Sequence, residues 1–271
     1  MIYIRGYSGD AAYRLGNIFV KETDGDPRRL LHQAHKQMKY RSKLLANEQL
    51  SKYFYVPRVM SVYSNGFTME YVEGNSIIDV MNKEGIDGLA SIFDKLEYLL
   101  DYEFHHTVKR PFRVKPFIKK LSPSCPVDIR ECIIMEVKKR RFTWLPIGLM
   151  HGDLSCANML FYKDKIVLLD LLKVFYRTPY QDIAKLYQEM DLHWAMLMSD
   201  YSNETSKIKS GYDYLTHRLN TWVDNTAYID KRFVNLFRLM CVARLFPYVN
   251  SADTGMQKLV YKKCLDIMEE M

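Results

Sequence analysis

The sequence predicts an α+β chain with most of its strands at the front and its helices behind. Three observations carry this. Strand patterns fill residues 2–21 and 56–72, with one helical stretch, 28–50, between them. From Ile77 onward apolar residues recur mainly at helical spacing. The chief interruption is the stretch HGDLSCANMLFYKDKIVLLD, residues 151–170, which reads as an acidic loop followed by a β-hairpin.

Tyr3-Ile4 runs into Gly6-Tyr7-Ser8-Gly9-Asp10, and residues 11–15 resume an extended pattern. Gly16-Asn17 makes a tight turn, and Ile18-Phe19-Val20-Lys21 is a strand ending in lysine. Pro27 marks a helix start near Arg28, and Leu30, Leu31, Ala34, Met38 and Leu44-Leu45 carry the helix to about Leu50. Val56-Pro57-Arg58-Val59 opens the next strand, Ser64-Asn65-Gly66 turns it, and residues 67–72 follow as another. Glu73-Gly74 breaks that strand, and a helix begins near Ser76. Helical spacing then runs from Ile77 to about Phe104, interrupted near 85–88. Adjacent histidines on a helix point about 100° apart, so His105-His106 reads as a polar helix end rather than a metal site. Pro111, Pro116, Pro123 and Pro126 punctuate the next stretch and leave room for a short helix at 117–121. Residues 129–141 form an amphipathic helix, basic at its end. Pro179 and Asp182 mark a further helix start, and the chain beyond 188 looks helical and dense in aromatic residues.

The chemistry concentrates in residues 151–170. Asn158 follows Asp153 by five residues, and the hairpin of 159–162 and 166–169 delivers Asp170 at its end. A hairpin of this size can bring Asp153, Asn158 and Asp170 to one mouth. Two carboxylates and an amide suit a hard cation such as Mg²⁺, which takes oxygen ligands and shares them with phosphates. Phosphoryl transfer needs such a set: one carboxylate for the proton of the attacking hydroxyl, an Asn and a second Asp for the metal.

The stretch resembles the catalytic loop and metal-binding strand of the aminoglycoside phosphotransferase and choline kinase families, relatives of the protein kinases. Their pattern, H-[GN]-D-x-x-x-x-N-x-[LIF], a hairpin, then [LI]-[LI]-D-[FLW], is matched at each key position. The resemblance implies a protein-kinase-like, two-lobed α+β fold. A small antiparallel sheet with one helix would form a nucleotide-binding lobe over 1–72. A larger, mainly helical catalytic and substrate-binding lobe would cover 73–271. It further implies an ATP- and Mg²⁺-dependent phosphotransferase acting on a hydroxyl of a small molecule: a sugar, an amino alcohol or an aminoglycoside. The alternative is a pseudokinase that binds nucleotide without turnover.

Residue by residue, the resemblance makes Asp153 the catalytic base and Asn158 and Asp170 the Mg²⁺ ligands. His151 would brace the loop, and Asp182 would hold it by accepting backbone N–H groups. Ser8 and Gly9, in the loop 6–9, would lie over the nucleotide phosphates, and Lys21 would contact them. In the string M-E-Y-V-E-G-x-S, the main chain of Glu70 and Val72 would pair with the adenine edge. Two departures stand out. Relatives carry on the first helix a Glu that pairs with the strand lysine; here that helix offers Gln33 and Gln37, and a glutamine gives Lys21 no charge partner. Where protein kinases have D-F-G, this chain has Asp170-Leu171-Leu172, which argues against a mobile activation segment.

Composition bounds these readings. A chain of 271 residues, 48% hydrophobic and 26% charged, is that of a soluble globular protein with room for two lobes. It has no apolar run long enough for a bilayer and no signal-peptide pattern, so a cytoplasmic protein is expected. Five singly placed cysteines argue for reduced thiols and against a zinc or redox motif. The net charge of +7 has clusters at Arg28-Arg29, 36–43 and 138–141. No nucleic-acid motif accompanies them, so they read as a solvated basic surface. Near the C-terminal aromatics stand Glu189, Asp191, Asp200, Asp213 and Asp224, which suit a cationic acceptor. The positive charge of the whole chain favours an uncharged or zwitterionic one.

Overall fold

The computed structural model describes residues 2–3, 10–172, 174–197, 205–249 and 254–271. Its first part is an antiparallel sheet backed by a helix. Strands β1 (Ile2–Tyr3), β2 (Ala11–Leu15) and β3 (Ile18–Glu22) come first, with Gly16 at φ +58° in the turn between the last two. Helices α1 (Arg28–Leu45) and α2 (Glu48–Tyr53) follow, then β4 (Phe54–Tyr55), β5 (Val59–Tyr63) and β6 (Gly66–Glu70). The sheet order is β1-β2-β3-β6-β5, so Lys21 sits opposite Phe67, in the middle of the sheet. Leu30 and Ala34 of α1 pack on Phe67 and Met69 of β6 in a small core of their own.

The single helix expected over 28–50 is two helices. Ala46 ends α1, and Asn47 leaves the helical conformation so that its side chain accepts the Leu50 N–H at 2.8 Å. An asparagine in this role starts a new helix more readily than it continues an old one.

The rest is mainly helical. After β7 (Asn75–Ser76), α3 (Ile77–Glu84) starts on a capping box between Ser76 and Asp79. Gly85, at φ +65°, separates it from α4 (Ile86–His105). Then come β8 (Val108–Pro111), α5 (Val114–Lys120), α6 (Val127–Lys139) and β9 (Trp144–Ile147). A short 3₁₀ turn (Cys156–Asn158) precedes the hairpin β10 (Met159–Tyr162) and β11 (Lys165–Leu168). Helices α7 (Pro179–Leu192), α8 (Trp194–Leu197), α9 (Ser206–Asn225), α10 (Lys231–Ala243) and α11 (Thr254–Glu269) complete the chain. The main core gathers side chains such as Phe93, Phe117, Tyr212 and Phe237, all fully buried, from α4, α5, α9 and α10.

The hairpin lies in a second sheet, ordered β4-β11-β10-β7. Lys163 and Asp164 turn it, both with positive φ, as a two-residue hairpin turn requires. Strand β4 runs parallel to β11, with Phe54 beside Ile166, and so links the chain ahead of β5 to the hairpin. The ribbon of β8 and β9 was not foreseen. Its register pairs Lys109 with Pro146 and Pro111 with Trp144. Prolines hide such strands from sequence patterns, yet a ribbon of two edges tolerates them. His105 and His106 end α4 with their Nδ1 atoms on the carbonyls of Asp101 and Tyr102, at 2.7 and 2.8 Å. All five cysteines are free. Among the described residues, no helix is long and apolar enough to cross a membrane.

Candidate active site

Strand β9 leads into His151-Gly152-Asp153, and three helices clamp this loop. From α7, Asp182 accepts the Gly152 N–H at 2.6 Å. From α4, Glu103 accepts the His151 N–H at 3.3 Å and the Tyr40 hydroxyl at 3.0 Å. From α1, Lys36 donates to the His151 carbonyl at 2.5 Å and to the Leu172 carbonyl. Gly152 is required here. It adopts φ +93°, and a Cβ would collide with Val174 and stand 3.0 Å from the Leu172 oxygen.

Burial governs the charges of this clamp. It pushes the Asp182 carboxyl up to about 6 against the pull of Lys36, and it lowers Lys36 to about 8. Burial, with Asp182 adding to it, also raises Glu103 well above the usual carboxylate range. His151 is fully buried and its Nδ1 accepts the Asp153 N–H at 3.2 Å. Burial and the nearby Lys36 charge lower its pKa to about 4, so the ring is neutral at pH 7.

Of the three residues expected at one mouth, Asn158 bonds Asp153, and Asp170 is joined to them through the main chain while its carboxylate meets Lys21. Lys21 Nζ lies 2.6 Å from Asp170 Oδ1, across 149 residues of sequence. Gln33 donates to the same oxygen at 2.6 Å. The charge partner of Lys21 is therefore Asp170 itself, and Gln33 stands where an acid was expected. Gln37 is engaged elsewhere, with the Pro57 carbonyl at 2.8 Å. Asp170 takes φ +55°, a conformation that Asp tolerates better than most residues. The Asn158 carbonyl accepts the Leu169 N–H at 2.9 Å, which ties the loop to the approach of Asp170.

Asp153 is held by two groups. Asn158 Nδ2 donates to its Oδ2 at 2.9 Å, and Lys185 Nζ lies 2.7 Å from its Oδ1. Burial alone would raise this carboxyl, but Lys185, His151 and Asn158 outweigh burial and hold it below the usual range. Lys185 responds in kind: burial lowers it, and Asp153 together with Cys241 more than offsets this and leaves it raised. Sequence reasoning missed Lys185, although it stands three residues after Asp182, one turn along α7 on the same side. Lys36 and Glu103 were missed as well, and no local pattern marks them.

The donor set fits a hard divalent cation. The Asn158 amide nitrogen is turned to Asp153, which leaves its Oδ1 as a ligand atom. Asp170 keeps 35% of its side chain exposed. An all-oxygen pair of this kind matches Mg²⁺, whose remaining positions would fall to phosphates and water.

The other expected contacts are less developed. Ser8 and Gly9 lie outside the described residues. Asp10, just after them, has its carboxylate buried against Arg29 of α1. Glu70 ends β6; its N–H goes to the Arg58 carbonyl at 2.9 Å, and its carboxylate accepts the Tyr55 hydroxyl. Val72 is half-buried just beyond the strand. Three of the acids expected to face a cationic acceptor are already paired. Glu189, fully buried, accepts the Ala195 N–H and the Tyr212 hydroxyl, each at 2.8 Å. Asp191 is gripped by Arg238 at 3.0 Å, and Asp224 pairs with Lys231 at 2.7 Å. Tyr212 and Trp222 are core residues. Asp200 and Tyr201 lie outside the described residues.

The fold is that of the protein-kinase-like small-molecule kinases. Many solved structures are similar, among them three that match over nearly the whole chain. A choline kinase, LicA from Streptococcus pneumoniae, matches with TM-score 0.55 and 14% identity, over 99% of this chain and 92% of that one. The ADP-bound aminoglycoside phosphotransferase APH(2'')-Ib matches with TM-score 0.53 and 15% identity, over 98% and 91%. A glucosamine kinase in complex with glucosamine, ADP and inorganic phosphate matches with TM-score 0.53 and 12% identity, over 98% and 81%. No protein-family model matches the sequence, and no curated protein matches it significantly.

Proposed function

We propose that this protein is an ATP- and Mg²⁺-dependent phosphotransferase that moves the γ-phosphoryl group to a hydroxyl of a small molecule. One observation carries the reading: Lys21 bonds Asp170, Asn158 bonds Asp153, and the Leu169 N–H on the Asn158 carbonyl ties the two pairs together beside the hairpin. Asp153 is kept anionic by Lys185 and Asn158, so it can orient an acceptor hydroxyl and take its proton as the oxygen attacks phosphorus. Lys21 would neutralise phosphate charge, and Asn158 and Asp170 would hold the metal. A metal ion held there would supply positive charge to offset that of the phosphates. The adenine edge would meet the main chain of Glu70 and Val72, with the loop bearing Ser8 and Gly9 over the phosphates. The burial of Glu189 and the pairing of Asp191 with Arg238 support an uncharged or zwitterionic acceptor over a cationic one.

A pseudokinase remains as a second reading. It is favoured by Gln33, which leaves α1 without an acid for Lys21. The experiment is ATP turnover with a panel of hydroxyl acceptors, comparing the native chain with Asp153→Asn. Turnover that needs Mg²⁺ and falls by orders of magnitude in the variant is the expected result. A nucleotide-induced thermal shift without turnover on any acceptor would favour the pseudokinase. Near-native turnover in Asp153→Asn would remove Asp153 from the mechanism.

A further inference from the structure

Residues 107–147 form one of two strongly basic stretches of this protein, the other being 28–43. Residues 107–147 hold 11 of the 39 basic residues and 3 of the 32 acidic ones, a net of +8. The whole chain carries +7, so the other 230 residues sum to −1. Two of the three acids are already bonded. Glu136 is buried against Lys139 and Arg140, and Asp128 accepts the Tyr261 hydroxyl at 2.7 Å.

The same segment exposes large apolar side chains. Phe142 is 82% and Trp144 61% accessible, and Val108, Ile118, Val127 and Met135 are exposed too. Some of these lie close together. Met135, Lys138, Arg141 and Phe142 line one open groove of about 570 Å³. The Arg141 guanidinium stands 4.7 Å from the centre of the Phe142 ring. On the neighbouring ribbon, Lys109 pairs with Pro146 and Pro111 with Trp144, which puts Lys109 and Trp144 on one face.

We infer that the surface formed by β8, β9 and the end of α6 docks on an anionic lipid bilayer. Lysine and arginine would meet the headgroups, and Phe142 and Trp144 would enter the interfacial layer. Peripheral membrane binding scales with buried apolar area plus attraction to anionic lipids, and this segment offers both. Tryptophan and exposed aromatics favour the headgroup level. Nucleic acid is the weaker match. Aromatic rings can stack on bases, but exposed Met135, in the groove beside Phe142, finds no partner on a charged polynucleotide. The inference does not depend on the kinase reading, and none of its residues belongs to the candidate active site.

The test is co-sedimentation of the full chain with phosphatidylcholine vesicles, with and without phosphatidylglycerol, at low and high salt. Binding should require phosphatidylglycerol and weaken with salt. The triple variant Lys109→Gln, Lys138→Gln, Arg141→Gln should lose about fivefold per residue, roughly 100-fold in all. Phe142→Ala should lose about tenfold with an unchanged salt slope. Trp144 fluorescence should shift to the blue on anionic vesicles, a shift missing from Trp144→Phe. All these residues are exposed, and an unchanged melting temperature in each variant verifies folding. Three results would overturn the inference: no binding to phosphatidylglycerol vesicles at low salt, vesicle binding that Phe142→Ala and Trp144→Phe leave unchanged, or tighter binding to a single-stranded RNA oligonucleotide than to the vesicles.

Discussion

Lys185→Met tests the least expected contact in the site. The substitution keeps most of the side-chain stem and removes the charge 2.7 Å from Asp153. The two side chains are only 17% and 21% exposed, so the pair lies closer to the buried limit than to the surface one. Breaking a buried pair costs about 3–5 kcal/mol and a surface pair at most about 1. A loss of about 2–3 kcal/mol is expected, because Asn158 still donates to the stranded carboxylate. For a chain of this size that lowers the melting temperature by about 5 °C. The assay is thermal or urea unfolding of the wild type, Lys185→Met, Asp153→Asn and the double variant. If the ion pair is the cause, Lys185→Met costs much less once Asp153 is neutral, and the cycle shows a coupling above about 1 kcal/mol. The same change should move the acid limb of turnover to higher pH, since Lys185 is the strongest of the groups holding the Asp153 carboxyl down. Costs that add to within about 0.5 kcal/mol, with an unmoved acid limb, would refute the pairing.

Further outcomes follow from the same geometry. Gly152→Ala should cost about 3 kcal/mol or more in urea unfolding, because a Cβ meets Val174 at a backbone conformation with φ +93°. Asp170→Ala should weaken Mg²⁺-dependent nucleotide binding more than Asn158→Ala, since a carboxylate contributes charge; equal Mg²⁺ affinity in titrations of wild type and Asp170→Ala would count against a metal site here. His151 is lowered from 6.5 to about 4, so its contribution is complete above 6.5 and is lost as pH falls through about 4, a change of about 3 kcal/mol. Asp182 is raised from 3.8 to about 6 and works the other way, contributing fully below 3.8 and losing this as pH rises through about 6. The His151 effect is therefore read as the difference between wild type and His151→Gln in unfolding free energy, which should shrink as pH falls; a difference constant with pH would show that His151 is not buried neutral.

How much of this was legible depended on the distance between partners along the chain. Asp153, Asn158 and Asp170 fall within 18 residues, and the hairpin between them is spelled by strand patterns and a polar turn. Local rules reach that far. Lys21 was readable as the end of a strand, but its partner was not: the missing helix acid suggested an unpaired lysine, and the fold answers with Asp170, 149 residues away. The clamp was partly readable. Asp182 announced itself at a helix start, whereas Lys36 and Glu103 sit on helices whose spacing shows which face is apolar but not what packs opposite. Lys185 is the instructive case, because position 185 lies one turn beyond Asp182 and had to face the same loop; the helix period carried that information and only the neighbour was unknown. Charge failed differently. Clusters noted one by one along the sequence did not show that residues 107–147 together carry +8, against +7 for the whole chain. Two prolines concealed the ribbon that brings Lys109 beside Trp144, so a surface made of three elements read as loose punctuation. Where partners are local, residue type and spacing suffice; where they are distant, a departure such as Gln33 marks a place to look but does not name what fills it.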